Sequence, residues 1–401
     1  MESTSRARTT SQQGRLALSW KLTAIIFAIG IPLGGATLGA ALSVLIAPLL
    51  IREAQRKGED PWGTLTAPLI ALAAVSALSS IFGEAPRGGL LFSLGLLVLG
   101  GGSLLVGRRI ARDPIFLRRA FLPALVVSTV AISVYVLYQS FGLDIRRTTG
   151  LTSYTNRMGT LLMFSGILGL GYLLSLKGRL RWLAMPYGVL VAVAMLTTLS
   201  RAAWVGGLVG AVILAFRRPR QGLVLLLVAL LAGSALLGSR PAWQARFLSI
   251  FNVQRNMDRL EMWDASVRIF ADHPILGIGP TSFPSIAPEY IERQDWRLHA
   301  TPHNFVLTVA AEMGLAGLLA LAWLGARVTR ALAVLGRQRD PLRWGLGAAL
   351  LALVVNDLFG QGFFTSQVGA VLWLTLGLVD GHQQGPAGEA SDSTLPPAAA
   401  T

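Results

Sequence analysis

Repeated apolar runs dominate the sequence, and most have about the 20 residues that cross the hydrocarbon core of a bilayer as a helix. Polar or charged connections, all short except for one long loop, separate ten clear runs, which cover residues 66–82, 89–106, 120–142, 159–176, 181–199, 202–216, 221–238, 303–326, 343–359 and 366–380. Only 14% of the 401 residues are charged, against roughly 25% in an average soluble domain. The sequence therefore predicts an all-α polytopic membrane protein.

The first apolar run, residues 22–51, is too long for a single span. One helix of that length would measure about 45 Å, whereas the hydrocarbon core is about 30 Å thick. A Pro-Leu-Gly-Gly sequence at residues 32–35 interrupts the run in its middle. We therefore predict a hairpin of two short helices here and about twelve membrane helices in all, nine of them within 22–238 and three within 303–380.

The distribution of Lys and Arg predicts the orientation of these helices. If the N-terminus is inside, the inside segments carry 23 of the 35 basic residues, and 7 of the other 12 lie in one long loop, residues 239–302. A loop of that length escapes the positive-inside rule, so the informative ratio is 23 to 5. We predict that both termini are cytoplasmic and that this loop is a structured segment on the outer, periplasmic side.

The composition of the chain limits which partners it could bind and which chemistry it could carry out. The net charge of +15 does not indicate nucleic-acid binding, because the basic residues stand in short clusters between apolar runs. The chain has no Cys, which excludes a disulfide, a thiolate metal site and a cysteine nucleophile. Segment 1–21 is expected to be cytoplasmic and partly disordered and tail 381–401 disordered, because both are rich in small and polar residues. We expect membrane lipids as partners and no nucleic acid.

The long loop contains a predicted helix. Residues 256–271 place Leu260, Trp263, Val267 and Phe270 on one stripe at helical spacing, with charged residues off the stripe. The loop also carries further aromatic residues, which could pack a small cap. We therefore predict that 239–302 is folded and that this stripe is its apolar face.

Three polar stretches stand at the predicted outer face. They are Thr-Leu-Ser-Arg at 198–201, Thr-Pro-His-Asn at 301–304, and the loop TTGLTSYTNRMG at 148–159. The arginine of the first stretch begins a predicted helix, where its charge opposes the helix dipole, so an anion or carboxylate partner is expected there.

Together with the TGLTSYTNRMG loop, the stretches TLSRAAW (198–204), RLEMWDASVRIFADHPILGIGPTSF (259–283) and PHNFVLTVAAEMGLAGLLALAWL (302–324) resemble the O-antigen ligase and O-antigen polymerase superfamily. The resemblance covers roughly residues 146–326. It implies a bacterial inner-membrane glycosyltransferase that moves a glycan from undecaprenyl diphosphate to a lipid or glycan acceptor, such as a lipid A core. The transfer would occur on the outer side, with inversion and without a metal ion or other cofactor.

The resemblance implies that Arg201 and Arg259 bind the donor diphosphate and that His303 is catalytic. Asn156 falls where the family often has an Asn, but the proline of the family's loop is missing here. The residue types suit the chemistry, because Arg binds phosphate oxygens with a planar fork and a neutral His accepts a proton near pH 7. Outside the charge-matched loop helix, the outer segments offer no Asp-x-Asp pair that would hold a metal ion instead.

Arg255, Asn304 and Glu312 are secondary candidates. Glu312 is an ionisable residue within a predicted span, which makes it a functional candidate by default. It lies nine residues after His303, hence about 180° around a straight helix, so we favour a structural bridge to another span. Asn356, Asp357 and Gln361 are weaker candidates for the same outer cavity.

Other functions remain open at this point. An O-antigen polymerase or a protein O-oligosaccharyltransferase would share the same motifs, although a single long outer loop favours a ligase. A secondary transporter would also suit twelve spans with both termini inside. Transporters place their sites near the midplane on broken helices, whereas the candidates here gather at the outer face.

Overall fold

The computed structural model describes residues 2–217, 233–234, 238, 241–249, 257–291, 301–337, 340–360 and 362–383, and within these ranges the chain forms helices and loops without any strand. The helices are α1 (Glu2–Leu33), α2 (Ala36–Arg56), α3 (Thr66–Ile81), α4 (Pro86–Ala111), α5 (Pro114–Gly142), α6 (Thr155–Ser175), α7 (Gly178–Thr197), α8 (Arg201–Arg217), α9 (Pro241–Leu248), α10 (Met257–Asp272), α11 (Phe305–Gly336), α12 (Pro341–Asp357) and α13 (Ser366–Gln383). The predicted all-α fold is confirmed.

Seven helices in the described ranges are long and apolar enough to cross a membrane: α1 from Leu16 onward, α2, α4, α5, α6, α7 and α11. Helices α3 and α8 are apolar but shorter. The predicted span 221–238 lies almost wholly outside the described residues, and the total of about twelve stays a prediction.

The first apolar run forms two helices, as its length and its Pro-Leu-Gly-Gly sequence predicted. The chain reverses at Gly34, whose φ of 81° lies in the left-handed region that glycine adopts most easily. The Gly35 amide donates to the Gly30 carbonyl oxygen at 2.7 Å, which holds the two helix ends together. Helix α1 begins at Glu2, about twenty residues before the predicted start of the span.

Small residues bring the central helices into close contact, as is usual in membrane helix bundles. Gly171 of α6 meets Gly345 of α12 so closely that a Cβ atom on either would overlap the other backbone. Gly107 of α4 and Gly377 of α13 also lie too close to the backbone of the facing helix to carry a Cβ atom. Helix α6 is almost wholly enclosed by its neighbours, and 89% of the residues in its apolar segment are buried.

A buried ion pair joins α4 to α13. Arg108 Nε lies 3.3 Å from Asp380 Oδ2, and both side chains are almost inaccessible to solvent. Thr64 Oγ1 donates to Asp380 Oδ1 at 2.6 Å, and Arg108 Nη2 donates to the Asp60 carbonyl oxygen at 3.1 Å. Breaking a buried pair of this kind by removing one partner typically costs about 3–5 kcal/mol, because the remaining charge is uncompensated.

Helix α11 is broken at Gly314, whose backbone angles are φ 61° and ψ −156°. The break frees amide groups from the helix, and the long loop supplies their acceptors. Leu315 N donates to the Pro274 carbonyl oxygen at 2.8 Å, and Ala316 N donates to that of Ile275 at 3.1 Å. The loop is therefore inserted into the break.

The same contact continues on the other side of the break. Ile278 N donates to the Ala311 carbonyl oxygen at 3.0 Å, and Gly279 N donates to that of Glu312 at 2.9 Å. A Cβ atom on Gly277 would lie 2.5 Å from the Ala311 oxygen, so a residue without a side chain is needed here. We call these paired segments, 274–279 and 311–316, the interlock.

Helix α10 forms close to where it was predicted, but the stripe predicted as its apolar face is not the buried one. Met262, Ala265 and Ile269 are buried together with Ala311 of α11. Leu260 and Val267 are 41% and 55% exposed. The helix has apolar residues on two faces, and periodicity alone could not tell which of them meets α11.

Candidate functional site

Arg201 and Arg259 line one cavity of about 240 Å³. Arg201 comes from the start of α8, and Arg259 comes from the first turn of α10 in the long loop. The remaining walls are apolar, namely Ala202, Val205, Leu260, Trp263 and Phe359. The structure thus brings together the two arginines that the sequence motifs singled out.

Arg201 is held in place from the loop side. Its Nη1 donates to the Ser249 carbonyl oxygen at 2.8 Å and lies 3.3 Å from Ser249 Oγ. Ser249 directly follows α9 and is buried. The guanidinium group is therefore oriented by a hydrogen bond to main chain as well as by its position at the head of α8.

Aromatic packing fixes α9 against the membrane helices. Trp243 is 1% exposed and packs with Leu199 and Trp204. Its ring lies 6.0 Å from that of Phe141 at the end of α5, and the Trp204 and Phe247 rings lie 6.4 Å apart. The first part of the long loop is thereby attached to the end of α5 and the start of α8.

The 148–159 loop lies directly beside the turn that precedes Arg201. Thr148 Oγ1 and Thr197 Oγ1 are 2.9 Å apart, and a Cβ atom on Gly159 would lie 2.7 Å from Ser200 Cβ. Asn156 lies in the first turn of α6, with an exposed side chain. Its carbonyl oxygen accepts from Thr160 Oγ1 at 3.0 Å, while its part in the site stays a prediction.

Trp263 connects the arginine cavity to the segment that contains His303. Its indole Nε1 donates to the Pro302 carbonyl oxygen at 2.9 Å. Its ring also lies 6.4 Å from that of Phe359, at an interplanar angle of 36°. Pro302 is buried, so the residue directly before His303 is held in place.

His303 is half-buried and has a φ of 50°, in the left-handed region. Asn304, which follows it, is the N-cap of α11, because its Oδ1 accepts from Val306 N at 2.9 Å and Leu307 N at 3.1 Å. The helix therefore starts at Phe305 rather than at 303. Asn304 caps the helix, so capping is not the role of the His303 imidazole.

Glu312 bridges to the loop through its side chain, whereas the sequence predicted a bridge to another span. Its Oε1 accepts from Phe283 N at 3.3 Å. Its carbonyl oxygen does contact a span, since Ser79 Oγ of α3 donates to it at 2.6 Å. Tyr290 Oη stabilises the same loop by donating to Asp272 Oδ2 at 2.7 Å, and this hydrogen bond raises the pKa of the Tyr290 hydroxyl.

Arg255, the remaining candidate, lies outside the described residues, as does Gln361. Asn356 and Asp357 are buried and do not line the cavity. Asn356 Nδ2 donates to Asp357 Oδ1 at 3.1 Å, and Asp357 Oδ2 accepts from Phe363 N at 2.6 Å.

Phe359 is the cavity residue that sequence reasoning missed. It follows α12 at the predicted outer face, and it lines the cavity together with residues of α8 and α10. An aromatic residue at the end of a span is common in membrane proteins, so the sequence contains no signal that would have separated Phe359 from an interface anchor.

A family model described as O-Antigen ligase matches residues 186–322. The matched segment includes Arg201, Arg259 and His303, and it ends beyond the break in α11. No curated protein matches the chain. The resemblance indicated by the sequence motifs is therefore confirmed over this segment.

Proposed function

Because the chain resembles the O-antigen ligase and O-antigen polymerase superfamily of membrane glycosyltransferases, we propose that it moves a glycan from undecaprenyl diphosphate to an acceptor hydroxyl on the outer side of a bacterial inner membrane. The observation that carries the proposal is the shared cavity of Arg201 and Arg259, with the His303 segment fixed to it through Trp263.

The two guanidinium groups suit the leaving group of this reaction. When the bond between the sugar and the diphosphate breaks, negative charge develops on the departing diphosphate. Arg201 and Arg259 can each offer a bidentate fork to its oxygens. The other walls of the cavity are apolar, and in such surroundings a fixed positive charge stabilises developing negative charge more strongly than it would in water.

His303 is proposed to act on the acceptor. The acceptor oxygen forms a bond to the anomeric carbon as the bond from that carbon to the diphosphate breaks. The acceptor proton passes to the neutral imidazole, and the electron pair of the broken bond leaves with the diphosphate. A single displacement of this kind inverts the anomeric centre and needs no cofactor.

A ligase is favoured within the superfamily because the sequence has one long outer loop, 239–302. A polymerase or a protein O-oligosaccharyltransferase would use the same donor and differ in the acceptor. Supplying the reconstituted protein with a lipid A core, a second lipid-linked glycan or an acceptor protein separates the three, because only one of them should receive the glycan.

The test of the donor site compares three arginines in proteoliposomes with a defined undecaprenyl-diphosphate glycan. Arg201→Ala and Arg259→Ala should each slow glycan transfer by about 10²–10³-fold, the usual effect of removing one preorganised donor. Lys at either position should restore little, because an ammonium group lacks the fork. Arg268→Ala is the matched control, since Arg268 lies on α10 and pairs there with Asp264 without lining the cavity.

The results can contradict the proposal in two ways. Wild-type transfer in both Lys variants would remove the bidentate argument. Unchanged consumption of the donor in Arg201→Ala and Arg259→Ala would remove the donor site itself.

A further inference from the structure

We propose that the rings of Trp263 and Phe359 form a stacking platform for the first sugar of the donor, the one bonded directly to the diphosphate. The inference rests on the proposed function, since it assigns the apolar half of the cavity whose charged half would hold the diphosphate. It names Phe359 as a specificity-determining residue.

The cavity is lined by two chemically different kinds of residue. Arg201 and Arg259 supply its positive charge, and Trp263 and Phe359 supply aromatic surface. The indole N–H, which is the only hydrogen-bonding group of Trp263, donates to the Pro302 carbonyl oxygen. Trp263 therefore presents ring surface, and no donor, to whatever occupies the cavity.

Phe359 is 37% exposed although it belongs to a closely packed outer turn. Two hydrogen bonds hold this turn in place. Asp357 Oδ2 accepts from Phe363 N at 2.6 Å, and Gly360 N donates to the Asp357 carbonyl oxygen at 3.3 Å. The Phe363 ring packs in turn against that of Phe305, at 5.1 Å. A large apolar side chain is thus held with an open face at the cavity.

The platform matches the chemistry of a sugar ring. A pyranose carries its hydroxyl groups around the rim and presents C–H bonds from its faces, and the weakly positive hydrogens are attracted to the negative face of an aromatic ring. The sugar must lie beside the platform if the arginines hold the diphosphate, because one glycosidic bond separates the two groups. Trp263 and Arg259 are one helical turn apart on α10, which sets the same spacing in the protein.

The experiment measures the binding of two lipids to the protein in nanodiscs. One is undecaprenyl diphosphate, and the other is undecaprenyl diphosphate carrying a single N-acetylglucosamine. Wild-type protein should bind the sugar-bearing lipid more tightly. Phe359→Leu should weaken binding of that lipid by roughly 3–10-fold, the scale of one aromatic contact, and leave binding of undecaprenyl diphosphate unchanged.

Further variants separate stacking from general damage. Phe359→Tyr should keep the preference because it keeps the ring, and Trp263→Leu should lose it, which provides a second site if Phe359→Leu does not fold. Phe82→Leu is the matched control, since Phe82 is 72% exposed and does not line the cavity. Arg201→Ala should weaken the binding of both lipids.

The outcomes distinguish the platform from the proposed function. If wild-type protein binds neither lipid, the proposed donor is wrong. If it binds both lipids equally, or if Phe359→Leu weakens both by the same factor, the platform is wrong and the diphosphate site stands.

Discussion

Leu199 and His303 are strained residues at the edge of the candidate site. Their φ angles are 54° and 50°, a region in which residues other than glycine are uncommon. Leu199 lies two residues before Arg201, in the turn that sets the direction of α8. Residues held in such conformations persist where the surrounding structure determines them, and they cluster at functional sites. The backbone strain at His303 thus agrees with a functional role at this position.

Replacing His303 by Asn tests its chemistry without changing its backbone. Asn tolerates the left-handed conformation, so we expect an unchanged thermal unfolding midpoint in detergent. Loss of the general base should slow glycan transfer by about 10²–10⁴-fold, while binding of the donor lipid is retained. Transfer and donor binding are measured separately. Full transfer by His303→Asn, or loss of donor binding, would show that His303 does not act at the acceptor.

Replacing Asn304 tests a structural role at the neighbouring position. Asn304→Ala removes the N-cap of α11 and should lower the free energy of unfolding by about 0.5–2 kcal/mol. Asn304→Asp keeps an oxygen acceptor for Val306 N and Leu307 N and should retain most of that stability. Thermal or denaturant unfolding of the three proteins measures the difference, and equal stability of all three would exclude the cap as a stabilising feature.

At the scale of single residues, motifs in the sequence predicted which arginines would come together. Arg201 and Arg259 lie on separate elements, and the resemblance of their two stretches to the superfamily is what singled both of them out. Phe359 and the capping role of Asn304 could not be predicted in the same way. They depend on where α11 and α12 begin and end, and boundaries are the least certain part of any reading from sequence.

At the scale of elements, the interlock is the feature that joins the long loop to the membrane helices. The sequence predicted a single span over residues 303–326. The structure differs at Gly314, because the helix breaks there and accepts residues 274–279. The pairing depends on contacts between distant segments, which apolar periodicity does not encode.

Gly314→Ala should separate the loop from α11. The backbone angles of Gly314 lie in a region that only glycine adopts readily, at a cost of order 1–3 kcal/mol for other residues. The new Cβ atom would also lie 2.5 Å from the carbonyl group of Ile275. We expect a lower unfolding midpoint and faster proteolysis within the loop, together with loss of transfer.

Gly325→Ala is the control for that change. Gly325 lies in the same helix, and a Cβ atom there would meet nothing within 4 Å. Its stability should be unchanged or higher, because Ala favours a helix interior over Gly. Equal stability of Gly314→Ala and Gly325→Ala would show that the break in α11 does not hold the loop.

At the scale of the whole molecule, the orientation in the membrane remains a prediction from the 23-to-5 distribution of basic residues. The chain has no native Cys, so single-cysteine labelling is clean. Ser285→Cys should react with an impermeant maleimide on intact spheroplasts, and Ile115→Cys should react only after permeabilisation. Both positions are exposed. The reverse pattern would place the candidate site on the cytoplasmic side.

The overall class of fold could be predicted because the thickness of the bilayer sets the length of an apolar run that spans it. The hairpin of α1 and α2 followed from the same argument, applied to a run that was too long. The arrangement of the helices could not be predicted. Contacts such as Gly171 against Gly345 are chosen by shape, and many glycines in such a sequence offer equivalent surfaces.

The buried pair of Arg108 and Asp380 has a consequence for the order in which the protein is made. Asp380 also binds Thr64, a residue synthesised 316 positions earlier. Until α13 emerges from the ribosome, Arg108 of α4 lacks the carboxylate of Asp380, and the Asp60 carbonyl oxygen that it also binds carries no full negative charge. We expect a nascent chain that lacks α13 to stay loosely packed and open to membrane proteases. Helix α13 therefore completes the packing around Arg108 only after the chain has grown 316 positions beyond Thr64.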